Sequence, residues 1–473
     1  MRLLRGQQLW ASTLLTAGGL VLGMVGYVRD CFPADSVDEL IADLNGEGAY
    51  LPVRRTPDEE GLRGVSPTLK VRAGDLVMFV PNELTFSAHK APAMIRSALQ
   101  NDPSFQAQRF VASLGLASEI AVAGVNKPGS WVQNMVADGV ARKKAEAIVN
   151  GWFDVAGPAP RNFLALDGSA QTALHGQGIH FFKVFANFAD LGEKVFERAP
   201  DLIGNANEED SLKAMAWGFS TMVARALALE EDGPVLIPAI DLLNHVADPS
   251  DANVAMPRCN LPFGQPGDKR IGCGVVSLKE IKPGEPLKTH YGPVPNMMLL
   301  LQHGFFLEDN PIGAAIDVES PNVEGDPALD WLRRQGCTAR SFKPVLHVPG
   351  RNLPRNYAPQ SFSEFVRCFK AFTFGEAEFT RADEGGYFGP SSPEASEEDL
   401  ERWRGLEAKT YEKVLQILRP RLADLKSKQD DRKRLSTSSD VVVQNFVRAA
   451  EEERLALGRA AREVKRQLDA VPR

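Results

Sequence analysis

The chain of 473 residues carries a formal net charge of -7 at pH 7, and this acidic balance argues against a protein specialised for nucleic-acid binding. Its hydrophobic content of 44% and charged content of 24% are typical of a globular protein, and its length allows two or three domains. The five cysteines include no C-x-x-C pair and are odd in number, which predicts neither a disulfide framework nor a structural zinc site.

The first 30 residues have the pattern of a hydrophobic targeting or anchor segment. Arg2 and Arg5 precede residues 9–28, which are almost without charge. This apolar stretch approaches the roughly 20 residues that a membrane-spanning helix needs. We therefore expect residues 1–30 to be a signal peptide, a cleaved organelle presequence, or an anchor that contacts a membrane through residues 9–28. A misassigned gene start is a further alternative, and without this segment we expect a cytoplasmic protein.

Residues 36–44 have the spacing of a short amphipathic helix, because apolar side chains recur at i, i+3, i+4 and i+7. The segment from Asn45 to Tyr50 follows, and its two glycines, Gly46 and Gly48, permit a tight turn and a close approach of the backbone to a ligand. An ordinary turn between a helix and a strand would explain the same residues.

The following part of the chain changes from strand to helix signals. Residues 71–81 predict a turn and then an apolar strand that ends at a proline. From about residue 86 to residue 209 the periodicity is helical, which predicts a helical insertion. His175 and His180 lie in this insertion, but the sequence contains no H-E-x-x-H pattern. We expect surface or capping histidines there and no metal site.

Residues 211–229 predict another helix with one apolar face, and Arg225 lies near its end. A cation at this position either stabilises the C-terminal end of the helix through the helix dipole or belongs to a functional site. The pattern of this helix alone leaves both interpretations open.

Residues 238–304 hold most of the side chains that suggest chemistry. An apolar run at residues 235–237 predicts a buried strand, and Asp241, Asn244 and His245 follow within a few residues. We expect a loop rich in proline and glycine next, over residues 257–268, and a second strand around residues 274–277.

The later part of this stretch predicts a half-buried strand. Leu287, Thr289 and Tyr291 alternate with polar residues, and the strand is expected to end at Gly292. A tyrosine at a strand end can direct its hydroxyl into a pocket. The alternative is a packed tyrosine whose hydroxyl donates to a backbone carbonyl.

After residue 310 the pattern changes to charged helices. They are predicted over residues 331–336, 362–372, 398–425 and 440–468. Pro420 is expected to break or kink the third of them, and Asp440 can cap the fourth.

The ordered motifs resemble a known family. The D-x-x-N-H segment at residues 241–245 is followed by I-x-P-G-E-x-L-x-x-x-Y-G at residues 281–292 and by Gly304-Phe305. Together they resemble the SET-domain protein methyltransferases, in the branch of the Rubisco large-subunit lysine methyltransferase and the actin-histidine methyltransferase. The resemblance implies an α+β fold, in which a SET-domain β core of short strands carries a helical insertion and an α-helical C-terminal domain follows.

The resemblance also implies domain boundaries. A SET domain would cover residues 36–310, and a helical Rubisco-methyltransferase-like substrate-binding domain would cover residues 311–473. Within the SET domain, the N-terminal half would be residues 36–86, the helical insertion residues 87–210, and the C-terminal half with the active site residues 211–310.

The same resemblance assigns roles to particular positions. Tyr291 would be the catalytic residue, orienting the target nitrogen and the transferred methyl group. Asp241 and His303 would bind the substrate, with Asp241 near its entrance. S-adenosylmethionine would be the cofactor, and no metal is implied. The residues expected to bind the cofactor are Asn45, Glu47, Arg225, Asn244, His245 and Tyr291.

The chain departs from the family pattern at several positions. Ala224 and Leu227 replace the Ser and Phe of an S-R-A-F segment, and His303 replaces a second Tyr that lysine-directed members often carry. The expected function is S-adenosylmethionine-dependent N-methylation of lysine on a non-histone protein, since the cysteine-rich zinc segment of many histone-directed members is absent. A histidine acceptor and a catalytically inactive SET-fold interaction protein are the alternatives. We expect a monomer whose partner is its protein substrate.

Overall fold

The computed structural model describes residues 36–56, 64–98, 104–122, 129–157, 177–198, 202, 208–229, 233–264, 269–317, 345–349 and 396–471. The chain divides into two compact units. The first comprises residues 1–172, 177–292 and 300–305, and the second comprises residues 173–176, 293–299 and 306–473. The domain boundaries expected from the sequence stay a prediction.

The described part of the first unit combines helices with short strands. Its helices are α1 Ser36–Gly46, α2 Ala93–Ala98, α3 Phe105–Val122, α4 Ser130–Ala137, α5 Arg142–Ala156, α6 Gln177–Arg198 and α7 Glu208–Arg225. Its strands are β1 Val53–Arg55, β2 Val65–Pro67, β3 Leu76–Pro81, β4 Phe86–Ser87, β5 Leu227–Leu229, β6 Gly233–Leu236, β7 Asn244–His245, β8 Arg258–Phe263, β9 Arg270–Val276 and β10 Lys288–Thr289. The helix α8, Asn296–His303, contains residues of both units.

The first predicted helix is confirmed as α1, and its apolar face is buried in the core. The predicted spacing places Val37, Leu40, Ile41 and Leu44 on that face, and all four are buried. Helix α1 lies beside α5. The turn that follows α1 brings Tyr50 into an antiparallel bridge with Phe79 of β3, so the helix leads directly to the edge of a sheet.

The strands form several small sheets. One has the order β3-β9-β8 and another the order β4-β6-β5, and both are antiparallel. Strands β1 and β2 form an antiparallel pair, whereas β7 and β10 pair in parallel. These short strands confirm the expected β core, and the α+β class follows from their combination with the helices.

Several expectations about secondary structure were wrong. The strand expected to end at Gly292 ends at Thr289 in β10, so Tyr291 follows the strand. The helix expected over residues 211–229 ends at Arg225, because residues 227–229 form β5 and pair with β6. The loop expected over residues 257–268 contains β8, Arg258–Phe263. Pro262 is tolerated in this strand since β8 lies at the edge of its sheet, where a missing N–H interrupts no ladder on the outer side.

The structure also contains a disulfide that the cysteine pattern did not predict. Cys259 of β8 and Cys273 of β9 are joined by a disulfide bond across the neighbouring strands. The odd number of cysteines in the sequence could not show this, because the pair becomes adjacent only when β8 and β9 form a hairpin. The other cysteines, Cys31, Cys337 and Cys368, lie outside the described residues.

The predicted helical insertion is confirmed in the described residues between β4 and β5, where the α-helices are α2 to α7. Helices α3 and α7 pack against each other. A series of aromatic rings joins the insertion to the β core. Phe86 contacts Trp131 with ring centres 5.1 Å apart, and Trp131 contacts Trp152 at 5.3 Å. Trp152 therefore reaches from the insertion towards the strands.

The second unit contains β11 Ile312–Asp317, β12 Val345–Pro349 and helices α9 Glu397–Ser427, α10 Gln429–Leu435 and α11 Val441–Ala470. Pro420 was expected to break or kink its helix, but α9 is not broken at this residue. The Asp440 side chain accepts a 2.8 Å hydrogen bond from the Val442 N–H, so the predicted cap of α11 is confirmed. Helices α9 and α11 pack together around buried residues such as Phe446. The helices predicted over residues 331–336 and 362–372 lie outside the described residues.

No helix within the described ranges is long and apolar enough to cross a membrane. Residues 1–30, the expected targeting or anchor segment, lie outside those ranges, as does His175.

Candidate active site

The two halves of the motif set meet in a pair of very short strands. Asn244 of β7 lies opposite Lys288 of β10, and His245 lies opposite Thr289. The Val246 N–H donates a 3.0 Å hydrogen bond to the Thr289 carbonyl, which continues the pairing. Segments 44 residues apart in the chain are thereby held side by side.

The segment 287–289 is surrounded by other parts of the chain. The Leu287 N–H donates to the Val65 carbonyl at 2.9 Å, while the N–H groups of Asn253 and Val254 donate to the Lys288 carbonyl at 3.0 and 3.1 Å. The Asn253 side chain accepts from the Lys288 N–H at 2.8 Å. This crossing, made from three separate segments, fixes the backbone immediately before Tyr291.

Tyr291 lies at the centre of the resulting site. Its hydroxyl donates a 2.5 Å hydrogen bond to the Leu243 carbonyl, and its ring stacks on His245 with centres 4.9 Å apart. Burial raises the pKa of Tyr291 to about 12, so the side chain is a neutral phenol near pH 7. The hydroxyl proton is donated to a backbone carbonyl, as expected for the alternative of a packed tyrosine. The oxygen lone pairs remain available as acceptors, which the catalytic interpretation needs.

His245 is a neutral ring with a defined tautomer. Its Nδ1 accepts a 3.1 Å hydrogen bond from the Tyr291 N–H, so its proton is on Nε2. Burial lowers the pKa of His245 to about 4, and the neighbouring His290 and His303 act in the same direction. His245 therefore links the N-H motif to the Y-G motif without carrying a charge near pH 7.

His303 comes to the same place from α8. Its ring centre is 5.2 Å from that of Tyr291 and 5.8 Å from that of Phe305. Its Nδ1 lies 2.9 Å from the Ala224 carbonyl. Burial lowers the pKa of His303 to about 4, and the nearby charge of Arg225 acts in the same direction. The structure thus places His303, a predicted substrate-binding residue, beside the predicted catalytic tyrosine.

Arg225 and Asp241 form a buried ion pair next to this site. Arg225 Nη1 lies 3.2 Å from Asp241 Oδ2, and the side chains are 17% and 1% exposed. The Trp152 indole N–H also donates to Asp241 Oδ2 at 3.1 Å. Asp241 was expected near the substrate entrance, and that role stays a prediction. The structure shows its carboxylate in contact with a cation and an indole. Trp152 was missed, because a tryptophan at helical spacing signals only a core residue.

The glycine turn after α1 is held by two different contacts. The Asn45 side chain accepts from the Leu51 N–H at 2.8 Å and donates to the Leu51 carbonyl at 3.1 Å, so it closes the turn. The Glu47 carbonyl accepts a 2.6 Å hydrogen bond from Arg270 Nη1. Gly48 has φ +91°, and an added Cβ there would lie 2.2 Å from Arg270 Nη1. Arg270 was missed, because it is remote from the turn in the chain.

The predicted site residues therefore fall into two groups. The first group is joined by hydrogen bonds, ring contacts or an ion pair, directly or through a neighbouring residue. Its members are Arg225, Asp241, His245, Tyr291 and His303, and Asn244 precedes His245. Asn45 and Glu47 lie in the glycine turn, and within the described residues no hydrogen bond joins them to Tyr291. A common pocket for both groups stays a prediction.

One side chain in the first group has unused hydrogen-bonding capacity. Asn244 is half-buried, and among the described residues its amide makes no hydrogen bond. Its Nδ2 lies so close to Gly64 that a Cβ added to that glycine would be 2.9 Å away. A half-buried amide that has no protein partner and faces a glycine fits a site for a polar ligand.

No protein-family model matches the chain. No curated protein matches it either. Several solved structures are similar to it. One is described as the crystal structure of the SET domain of LSMT bound to lysine and AdoHcy; it has a TM-score of 0.56 and 15% identity, covering 92% of this chain and 93% of that chain. Another, described as the structure of Rubisco LSMT bound to AdoMet, has a TM-score of 0.53 and 14% identity, covering 93% of this chain and 94% of that chain. The chain therefore has the SET-domain fold.

Proposed function

We propose that this protein is an S-adenosylmethionine-dependent protein-lysine N-methyltransferase that acts on a non-histone protein. The observation that carries the proposal is the arrangement around Tyr291. A neutral phenol and two neutral imidazoles lie together, and Asn244, the residue before one of these imidazoles, has an amide with no partner among the described residues, all within a SET fold. Of the two similar structures described above, one contains lysine and AdoHcy and the other contains AdoMet, which supports the same reaction class here.

Methyl transfer from a sulfonium is an in-line displacement by a neutral nitrogen, so the protein must align two groups and exclude water. When bound, S-adenosylmethionine supplies an electrophilic methyl group. Asn244 would hold the amino-acid part of the cofactor with its amide, and His245 would lie against the adenine. The Asn45–Glu47 backbone would present polar groups to the cofactor from the glycine turn. The free hydrogen-bonding capacity of Asn244 and the positive φ of Gly48 fit these roles.

The target amine must lose its proton before it can attack. Burial disfavours the charged form of lysine, and the neutral rings of Tyr291, His245 and His303 provide no anion to stabilise it. The carboxylate of Asp241, beside the site, is already paired with Arg225. The Tyr291 oxygen can then accept a hydrogen bond from the neutral amine or contact polarised C–H groups.

A histidine acceptor is the second candidate, and one observation favours considering it. His303 stands where lysine-directed relatives often carry a tyrosine, and it contacts the catalytic ring directly. The product of the reaction separates the two candidates, since lysine and histidine yield different methylated amino acids after hydrolysis.

The decisive experiment uses full-length protein, isotopically labelled S-adenosylmethionine and a heat-treated protein extract. We expect binding of the cofactor by calorimetry, transfer of label to protein, and methyllysine after acid hydrolysis. Tyr291→Phe should abolish most transfer. His89→Gln, at an exposed position of the first unit, is the control and should be active. Methylhistidine as the product would select the second candidate.

A folded wild-type protein that neither binds the cofactor nor transfers label would contradict the proposal. If the wild type shows no transfer, and the wild type and Tyr291→Phe capture the same partners equally well, the protein is a SET-fold interaction protein. The C-terminal helices are proposed as the substrate-binding part. A separate proposal is that residues 1–30 have a targeting role, and sequencing the mature N-terminus would test it.

A further inference from the structure

The disulfide between Cys259 and Cys273 lies at an irregular point of the pairing between β8 and β9. The register shifts there, and two residues of β8, Cys259 and Asn260, lie opposite the single residue Cys273 of β9. Such a bulge interrupts the ladder of backbone hydrogen bonds between two strands. The disulfide bond therefore connects β8 to β9 at the point where their backbone pairing is interrupted.

The beginning of β9, on one side of the disulfide, is held by β8. Strand β3 pairs with β9 only from Gly272 to Val276. Arg270 and Ile271 lie outside that range and, among the described strands, pair with β8 alone. A two-stranded hairpin by itself is marginally stable at best in water. The covalent bond at Cys259 therefore matters most for the segment that carries Arg270.

The same part of the hairpin holds the glycine turn that follows α1. Arg270 donates from Nη1 to the Glu47 carbonyl at 2.6 Å. Phe263 lies opposite Arg270 on β8, and its ring centre is 5.4 Å from that of Tyr50 and 4.7 Å from that of Phe79. The hairpin thus contacts the turn at Glu47, which is expected to bind the cofactor, and at Tyr50.

The two cysteines differ in burial. Cys273 is 1% exposed, whereas Cys259 is half-buried and belongs to a strand at the edge of its sheet. Thiol–disulfide exchange begins when a thiolate attacks an accessible sulfur atom. Cys259 Sγ is therefore the atom that a reductant attacks, and Cys273 Sγ is the leaving group.

Resting on the proposed function, we propose that Cys259 and Cys273 form a redox-controlled pair, and that reduction of their disulfide by a dithiol releases the glycine turn and lowers the affinity for S-adenosylmethionine. The disulfide form is the form that binds the cofactor tightly. The dithiol is either a small molecule or the reduced cysteine pair of a protein, and the chemistry is the same for both.

The exchange balances with the dithiol as a two-electron donor. Its first thiolate attacks Cys259 Sγ and forms a mixed disulfide, while the electron pair of the broken S–S bond stays on Cys273 Sγ, which takes up a proton. The second thiolate of the dithiol then attacks the reductant's own sulfur in the mixed disulfide. Cys259 leaves and is protonated, and the reductant ends as a disulfide.

The effect on affinity follows from the population of the closed hairpin. Without the disulfide, the paired ends of β8 and β9 open locally more often, and in the open form Arg270 no longer holds the Glu47 carbonyl. A ligand that binds only the closed form loses affinity in proportion to the fraction of molecules that are closed. We expect a loss of affinity of about threefold to tenfold.

The test compares the oxidised and reduced forms of the full-length protein. Wild-type protein is oxidised or treated with dithiothreitol, and peptide mapping after alkylation verifies the state of the pair. A variant with serine at positions 31, 337 and 368 is the control, because Cys259 and Cys273 are then the only cysteines. Each form is titrated with S-adenosylmethionine by calorimetry. Amide hydrogen exchange is measured at residues 47–50, whose N–H groups are hydrogen-bonded in the closed form.

Reduction should weaken cofactor binding and speed amide exchange at residues 47–50, equally in the wild type and in the control variant. The double variant Cys259→Ser/Cys273→Ala should have the affinity of the reduced form and should not respond to dithiothreitol. Oxidised protein in which the two cysteines are not linked would overturn the proposal. Unchanged affinity and exchange after complete reduction would also overturn it.

The two measurements separate this proposal from the proposed function. If neither form binds S-adenosylmethionine, the methyltransferase assignment fails. Amide exchange at residues 47–50 then still decides whether the disulfide holds the turn, because it needs no cofactor.

Discussion

The hydroxyl of Tyr291 donates its proton to the carbonyl oxygen of Leu243 at 2.5 Å. Leu243 directly precedes the N-H motif, so the catalytic candidate is tied to the segment expected to bind the cofactor. The contact fixes the direction of the phenol oxygen and makes it an acceptor towards any further group. A role in folding and a role in chemistry are thus combined in one hydrogen bond.

Replacement of Tyr291 by Phe should separate these two roles. We expect a loss of about 1 kcal/mol in the free energy of unfolding, because the buried Leu243 carbonyl loses its donor. The rate of transfer should fall by roughly 100-fold or more if the oxygen also orients the target nitrogen. Denaturant unfolding and kcat measurements on the same sample check both. A variant that loses stability but keeps full kcat would restrict Tyr291 to the structural role.

The neutral state of His303 predicts a pH dependence of stability. Its pKa is about 4 in the folded protein, below its ordinary value of 6.5. Between these values the unfolded chain binds a proton that the folded chain does not, so the free energy of unfolding falls as the pH falls. The contribution is fully present above about pH 6.5, is lost as the pH falls through about 4, and amounts to at most roughly 3 kcal/mol.

Urea unfolding of the wild type and His303→Gln from pH 7 to about pH 4.5 measures this effect. The variant should show a weaker decline over that range, since it has no imidazole to protonate in the unfolded chain. The exposed His89, replaced in His89→Gln, is the matched control and should leave the decline unchanged. Parallel curves for wild type and His303→Gln would contradict a buried neutral His303.

The residues of the site could be predicted from the sequence more fully than the hydrogen bonds between them. The resemblance of the ordered motifs to the SET family implied that four residues belong to the site: Asn244, His245, Tyr291 and His303. The partners that fix the states of Tyr291 and His303 are the backbone carbonyls of Leu243 and Ala224. Backbone groups have no sequence signature, so the tautomers and proton positions follow only from the folded chain.

The errors in the fold have a similar origin. Residues 227–229 continue an apolar run and extend the helical pattern, but pairing with β6 makes them a strand. Tertiary pairing overrode local periodicity there. Arg270 and Trp152 were missed because each acts on a residue remote in the chain, at Glu47 and Asp241 respectively. A lone arginine or tryptophan carries no spacing from which such a contact could be inferred.

The ion pair of Arg225 and Asp241 should contribute strongly to stability when one partner alone is removed. The Asp241 side chain is 1% exposed, so Arg225→Met leaves a buried carboxylate without its cation and should cost about 3 kcal/mol or more. The double variant Arg225→Met/Asp241→Asn should be more stable than the sum of the two single effects. Thermal and urea unfolding of the wild type, Arg225→Met, Asp241→Asn and the double variant gives the coupling energy between the two side chains.

An exposed ion pair supplies the control for this double-mutant cycle. Lys70 and Glu280 lie 2.9 Å apart, but their side chains are 59% and 57% exposed. The same cycle on Lys70→Met and Glu280→Gln should give a coupling below about 1 kcal/mol. Equal coupling for the two pairs would mean that Asp241 is hydrated in solution and would remove the ion pair as a support for the site.

The glycine turn offers a test in which backbone strain and contact can be separated. Gly48 and Gly74 have nearly the same φ, +91° and +87°, but an added Cβ meets Arg270 at 2.2 Å in the first and nothing within 4 Å in the second. Both Gly→Ala variants should lose about 1 kcal/mol of stability through the positive φ. Gly48→Ala should lose more, because it also displaces Arg270 from the Glu47 carbonyl.

Arg270→Ala removes the same contact without changing φ at Gly48. If the turn holds the cofactor as proposed, Gly48→Ala and Arg270→Ala should both weaken S-adenosylmethionine binding, by roughly tenfold, while Gly74→Ala should bind as tightly as the wild type. Calorimetric titration and thermal unfolding of the three variants check this. Unchanged affinity in Gly48→Ala, in a protein that binds the cofactor, would show that this turn lies outside the cofactor site, because the backbone that Asn45 and Glu47 present would then have moved without consequence.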